Sequence, residues 1–191
     1  MALVPLDIHH IGLARLAHDL AVFGKRLPNA QALVLNRMVT RARPKVVDAV
    51  VEQTGLAKRI IVKAIVPLRA SSKNLRAGLV SRGGEISYRF FRAREEGSGV
   101  VATVAGRRVF IAGGFRRSGR APNRYMVKRL GGQVYVNPSR RWRGEIEKQR
   151  SGVWIPEEMA RGASREAFDD VVANDLPAEV ARELGKLGAK R

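Results

Sequence analysis

The chain has 191 residues, 45% of them hydrophobic, no cysteine, and a formal net charge of +19. That length suits one medium domain with a real core, and the hydrophobic content excludes wholesale disorder. The lack of cysteine removes disulfides, thiolate metal sites and cysteine nucleophiles.

The charge is unevenly spread. Residues 71–150 carry 19 Lys/Arg against 5 Asp/Glu, whereas residues 151–191 carry 6 against 8. The middle of the chain therefore dominates the field and favours a polyanionic partner, either nucleic acid or an acidic protein surface. Near the start, Arg15, Asp19, Lys25 and Arg26 interrupt the apolar residues before a secretory core forms. No apolar run approaches the roughly 18 residues of a membrane span. A soluble chain is expected.

From residue 10 to 66 the pattern predicts a helical block of three or four short helices. Leu13, Leu16, Leu20, Phe23 and Leu27 recur at three-or-four spacing. After Pro28 and Asn29, a second helix places Leu35, Val39 and Ala42 inward. Pro44 lacks a backbone donor and biases Arg43 away from helical geometry, so a kink or a new helix is expected there. Val46 and Val50 continue the stripe and Gly55 is a plausible stop. A short helix from about Leu56 to Val66 then ends before Pro67. The basic residues, Arg37, Arg41 and Arg43 among them, are expected to project outward.

Residues 73–155 change to a period of two. Leu75, Ala77 and Leu79 alternate, and in "EISYRFF" Ile86, Tyr88 and Phe90 share one face, as in a half-buried strand. "VVATVAGRRVFIAGG" reads as two strands around a tight turn near Ala105–Gly106. "RYMVKRLGGQVYVN" reads as a hairpin turning at Gly131–Gly132. Sequential antiparallel strands predict an α+β fold with a sheet or small barrel. Two basic arms interrupt it, at 113–124 and 137–152. From 156 to 188 the pattern is again helical. Pro156, Glu157 and Glu158 suit a first turn, Met159, Ala163, Phe168, Val171 and Val172 form an apolar face, and Asn174 or Asp175 is placed to cap a second segment entered at Pro177.

Little here suggests chemistry. His9, His10 and His18 have no accompanying carboxylate or thiolate motif, so no metal site is expected. Ser81, Ser87 and Ser118 lack a nucleophile-elbow context. Gly83–Gly84, Gly97–Ser98–Gly99 and Gly113–Gly114 are not followed by Lys-Ser/Thr in a strand–loop–helix frame, so they read as turns and not phosphate loops. The acid pairs Glu95–Glu96, Glu157–Glu158 and Asp169–Asp170 read as solvated faces or ion-pair partners. No catalytic residue, cofactor or small-molecule substrate is expected.

The arginine clusters carry the functional signal, because each guanidinium presents a permanent charge in a planar fork. Arg116, Arg117, Arg120 and Arg124 lie in the first arm. Arg140, Arg141, Trp142 and Arg143 lie in the second. Three readings stay open: phosphate contact with the indole stacked on a base, a grip on acidic loops of neighbouring subunits, where Trp and Arg are common anchors, or a merely solvated basic loop.

The order of "ALVLNRMVTRARPKVVDAVVEQTGLAKRIIVKAI", "GGEISYRFFRARE", "GVVATVAGRRVFIAGGF" and a short Ile-Pro entry into a C-terminal helix resembles the phage minor tail protein Z family, the tail-completion proteins of lambda-like and related phages. The resemblance runs from about residue 10 to 188, with Asn36–Arg37 and the Gly-Arg-Arg at 106–108 the most suggestive positions. It departs at "SGVWIPEEM", where family members often carry Gly-Pro. The resemblance implies a structural virion protein at the head-proximal end of a tail. It would dock with tail terminator and other neck or connector proteins, as a homo-oligomeric, hexameric ring around the DNA channel, and serve head–tail joining and DNA passage. In that setting Arg37, Arg41 and Arg43 and the two arms are expected to meet partners, with nonspecific DNA contact in the channel and no membrane. Its place would be the virion, and the host cytoplasm during assembly. The alternative is a sequence-nonspecific nucleic-acid-binding protein.

Overall fold

The computed structural model describes residues 4–7, 27–119, 123–139, 141 and 144–188. The stripe at Leu13, Leu16, Leu20 and Phe23 and all three histidines lie outside them. The fold is α+β: a long N-terminal helix, small antiparallel sheets, and a long C-terminal helix packed against the first. It divides into two compact units, each discontinuous in sequence. The first comprises the chain up to Val50, Lys58–Gly83 and the residues from Ile155 onward. The second comprises Val51–Ala57 and Gly84–Trp154.

Helix α1 runs from Leu27 to Thr54 without interruption, and its residues up to Val50 belong to the first unit. Leu35, Met38, Val39, Ala42, Val46 and Val50 are buried along one face, the i, i+3, i+4, i+7 stripe that drives an amphipathic helix inward. The kink or restart expected at Pro44 does not break the helix. Pro44 points to solvent, while Ala42 and Val46 on either side of it are buried, so ending the helix there would unseat the stripe that follows. Tertiary packing outweighs local propensity. The stop at Gly55 is as expected: its φ is +72° and its amide donates to the Val51 carbonyl at 2.8 Å.

Helix α2, Lys58–Ala64, is shorter than the sequence suggests and passes directly into strand β2, Ile65–Leu68. Pro67 thus lies within a strand. It is tolerated because β2 is an edge of the sheet β1–β3–β2, formed with Val4–Asp7 and Gly78–Ser81. Both neighbours run antiparallel to β3, with Ile65 and Val4 opposite Ser81. Ser81 is fully buried, and among the described residues its hydroxyl has no hydrogen-bond partner. A hydroxyl so placed carries an uncompensated desolvation cost. Ser81→Ala is expected to raise stability by about 1 kcal/mol, read as a higher urea midpoint; a lower midpoint would contradict it.

The C-terminal region forms α3, Ile155–Ala160, and α4, Gly162–Gly188. The break expected at Asn174 or Asp175 is absent, and α4 continues through Pro177 for the reason given for Pro44. Val171, Val172, Leu176 and Val180 are buried on both sides of it while Pro177 faces solvent. Within the apolar face, Ala163 is exposed and Ser164 is buried instead.

In the second unit, β5 (Gly99–Val104) and β6 (Arg107–Ala112) form the expected hairpin, with β4 (Arg94–Glu96) on the other side of β5. Ala105 and Gly106 both have positive φ, +49° and +74°, the geometry that matches a two-residue turn to strand twist. Two expected strands are corrected. In "EISYRFF" only Ser87 bridges, to Arg150, and Tyr88–Phe90 is a 3-10 turn. The Ser87 hydroxyl accepts from the Arg89 amide and draws the backbone out of the extended form. The buried ring is then Phe91. The hairpin at Gly131–Gly132 is also absent. Lys128–Leu130 forms a 3-10 turn ended by Gly131 in the left-handed region. The following Tyr135–Val136 (β8) lies between β7, Gly114–Phe115, and β9, Glu147–Lys148. Parts of both arms are therefore sheet and not loop.

Candidate partner-binding site

The arginines fall into two populations. The first is engaged within the chain. On α1, Arg37 pairs with Glu179 at 3.3 Å and with Glu183 at 2.8 Å. Arg41 pairs with Glu179 and, at 3.4 Å, with Asp175. Arg182 also reaches Glu179, at 2.7 Å. Glu179 is only 3% exposed, so three guanidiniums converge on one buried carboxylate and tie α4 to α1. Arg43 donates to the Ile65 and Val62 carbonyls at 3.1 and 2.8 Å. All three helical-block arginines expected to meet a partner thus have partners inside their own unit.

Glu183 gives this network a pH response. Burial alone would raise its pKa, but hydrogen bonds from Arg37 and Lys186, with their charges, more than offset that and hold the carboxyl below its usual value. A folded-state pKa below the unfolded one contributes stability that is present at neutral pH and lost as pH falls through the depressed value. Glu183→Gln is therefore expected to lower stability at pH 7 and to flatten the loss below about pH 4. Urea midpoints of both proteins across that range check this; parallel curves would refute it.

In the second unit, Glu95 on β4 anchors the first arm. Its carboxylate accepts from the amides of Arg116 and Arg117, at 2.6 and 2.8 Å, and pairs with Arg124 at 2.9 Å. The Arg116 guanidinium donates to the carbonyls of Gly132 (3.1 Å) and Ala93. Arg116 and Arg124 thus hold their own loop in shape, and Arg124 also donates to the Arg117 carbonyl at 2.8 Å. The second arm is folded by Asn137, whose side-chain amide donates to the Arg141 carbonyl at 2.8 Å and whose oxygen accepts from the Ser139 hydroxyl at 2.9 Å.

The second population is unpaired. Arg117, Arg129 and Arg141 are exposed, and among the described residues no carboxylate pairs with them. All three line an open basin of about 1090 Å³, together with the apolar Phe115, Leu130 and Ile146. Arg124 lines it too, already neutralised by Glu95, and among the described residues no Asp or Glu does. The basin joins the two arms with the segment that precedes Gly131. Of the residues expected to form the site, the structure brings Arg117, Arg124 and Arg141 together; Arg116 turns into the fold; Arg120, Arg140, Trp142 and Arg143 lie outside the described residues. Sequence reasoning missed Arg129, because "VKRLGG" reads as a strand until the glycine is recognised as the end of a 3-10 turn. It also gave Glu95 no more than the choice of a solvated face or an ion pair.

Among the described residues no group of His, Asp and Glu is placed to hold a metal ion, and no helix is long and apolar enough to cross a membrane. No protein-family model, curated protein or solved structure matches the chain.

Proposed function

We propose that this chain is a structural assembly protein of a phage tail, completing its head-proximal end by docking with neck or terminator proteins around the DNA channel as a homo-oligomeric ring. The observation that carries the docking part is the basin at Arg117, Arg129 and Arg141, whose described lining holds no Asp or Glu. The assignment to a tail rests on the resemblance of the quoted segments to the minor tail protein Z family. The proposed role is binding: among the described residues the Ser81 hydroxyl is enclosed and Glu179 and Glu95 are held in ion pairs. The test is to copurify the chain with candidate neck proteins and look for closed rings by electron microscopy. A chain that stays monomeric and ignores those partners would overturn the proposal.

A second reading, sequence-nonspecific nucleic-acid binding, is favoured by the same free guanidiniums and by Tyr125, which is 61% exposed. It requires duplex or single-strand affinity that falls steeply with salt as counterions are released.

A further inference from the structure

We propose that the basin on the second unit receives an extended acidic segment of another protein, one in which carboxylates alternate with aliphatic side chains. This rests on the docking reading above and names what docks. The guanidiniums of Arg117, Arg129 and Arg141 supply planar donor forks without internal acceptors, and a carboxylate accepts such a fork with two parallel hydrogen bonds. The apolar lining residues Phe115, Leu130 and Ile146, the last 43% exposed, gain only from an occupant that also brings apolar side chains. A peptide with alternating sides does both.

Nucleic acid fits less well. Single strands are held by stacking bases on open aromatic faces. The described lining has one aromatic ring, Phe115, which already packs on Tyr135 with centroids 6.3 Å apart and planes tilted by 33°. A phosphate backbone would satisfy the arginines and bring nothing apolar to Phe115, Leu130 and Ile146.

A second copy of this chain is the rival occupant. Asp48, Glu85, Glu95, Glu96, Glu158, Asp169, Asp175, Glu179 and Glu183 all sit in intrachain ion pairs, and Glu52, Glu157, Glu166 and Asp170 are fixed on helices. Glu145 and Glu147 are exposed and flank Ile146 at the basin itself, so self-association of the protein that alanine at Arg117, Arg129 and Arg141 abolishes would overturn the proposal.

The experiment uses the full chain and a labelled peptide in which Glu alternates with Leu, followed by fluorescence anisotropy at low salt. Two further probes are the same peptide with Gln for Glu, and an oligothymidylate of equal charge. The triple variant Arg117→Ala, Arg129→Ala, Arg141→Ala is expected to bind the Glu–Leu peptide roughly tenfold to hundredfold more weakly. The Gln–Leu peptide is expected to bind no better than that variant does. A second triple variant, Lys45→Ala, Arg59→Ala, Lys73→Ala, removes the same charge from exposed positions on the first unit and is expected to keep most of the affinity. Thermal melts establish that each variant is folded. Equal loss in both variants, or oligothymidylate binding tighter than the Glu–Leu peptide, overturns the proposal. Rings formed with neck proteins while peptide binding ignores the basin would sink this inference and leave the functional reading standing. Basin-dependent peptide binding without any ring or neck complex would do the reverse.

Discussion

Replacing Arg37 and Arg41 together by alanine is expected to cost roughly 3 kcal/mol of stability, more than the sum of the single changes. The buried group is Glu179, 3% exposed, while Arg37 and Arg41 retain 29% and 44% of their side-chain exposure. Stripping a buried carboxylate of its cations leaves an uncompensated charge, which is the expensive state. With one arginine gone the other still neutralises Glu179, so each single change is cheap. With both gone only Arg182 remains, reaching back from the same helix. The figure lies at the low end for a buried pair because water reaches the guanidiniums. Urea unfolding of the two single variants and the double variant, at unchanged m, measures the coupling. Additive losses below about half a kcal/mol each would mean that Glu179 is hydrated and the network decorative.

Gly99→Ala is expected to destabilise the second unit by roughly 1–3 kcal/mol. Gly99 opens β5 opposite Ala112 of β6. A Cβ there would lie 2.8 Å from the Phe110 ring and closer still to the Ile111 carbonyl oxygen. The ring can swing aside, but the carbonyl belongs to a strand paired over six residues and cannot. Gly84→Ala is the control: nothing lies within 4 Å of the position and its φ is ordinary, so its effect should be near zero or slightly stabilising. Similar midpoints for the two variants would show that β5 and β6 are not pressed together at that end.

What was legible in the sequence follows from the range of the forces involved. The stripe Leu35–Val39–Ala42–Val46–Val50, the stop at Gly55 and the turn at Ala105–Gly106 are encoded by neighbours a few residues apart, and each is where its pattern puts it. The corrections arise where a distant partner decides. Pro44 and Pro177 read as breaks because proline is costly in a helix, and only packing across the two helices outweighs that. Ser87 and Gly131 were misread because a hydroxyl and a left-handed residue serve strands and 3-10 turns alike. The arginines were hardest. Charge in a sequence does not reveal whether a carboxylate waits more than a hundred residues away, as Glu179 does for Arg37, or a carbonyl nearby, as Gly132 does for Arg116.

The prolines inside both long helices have a consequence for the isolated segments. Each lowers helix propensity by about 3 kcal/mol relative to alanine, at positions facing solvent. A synthetic peptide spanning 27–54, or one spanning 162–188, should therefore give a weak circular-dichroism helix signal in water, and mixing the two should restore little unless the sheet is also present. The rods are products of the finished architecture, not preformed parts from which it is put together.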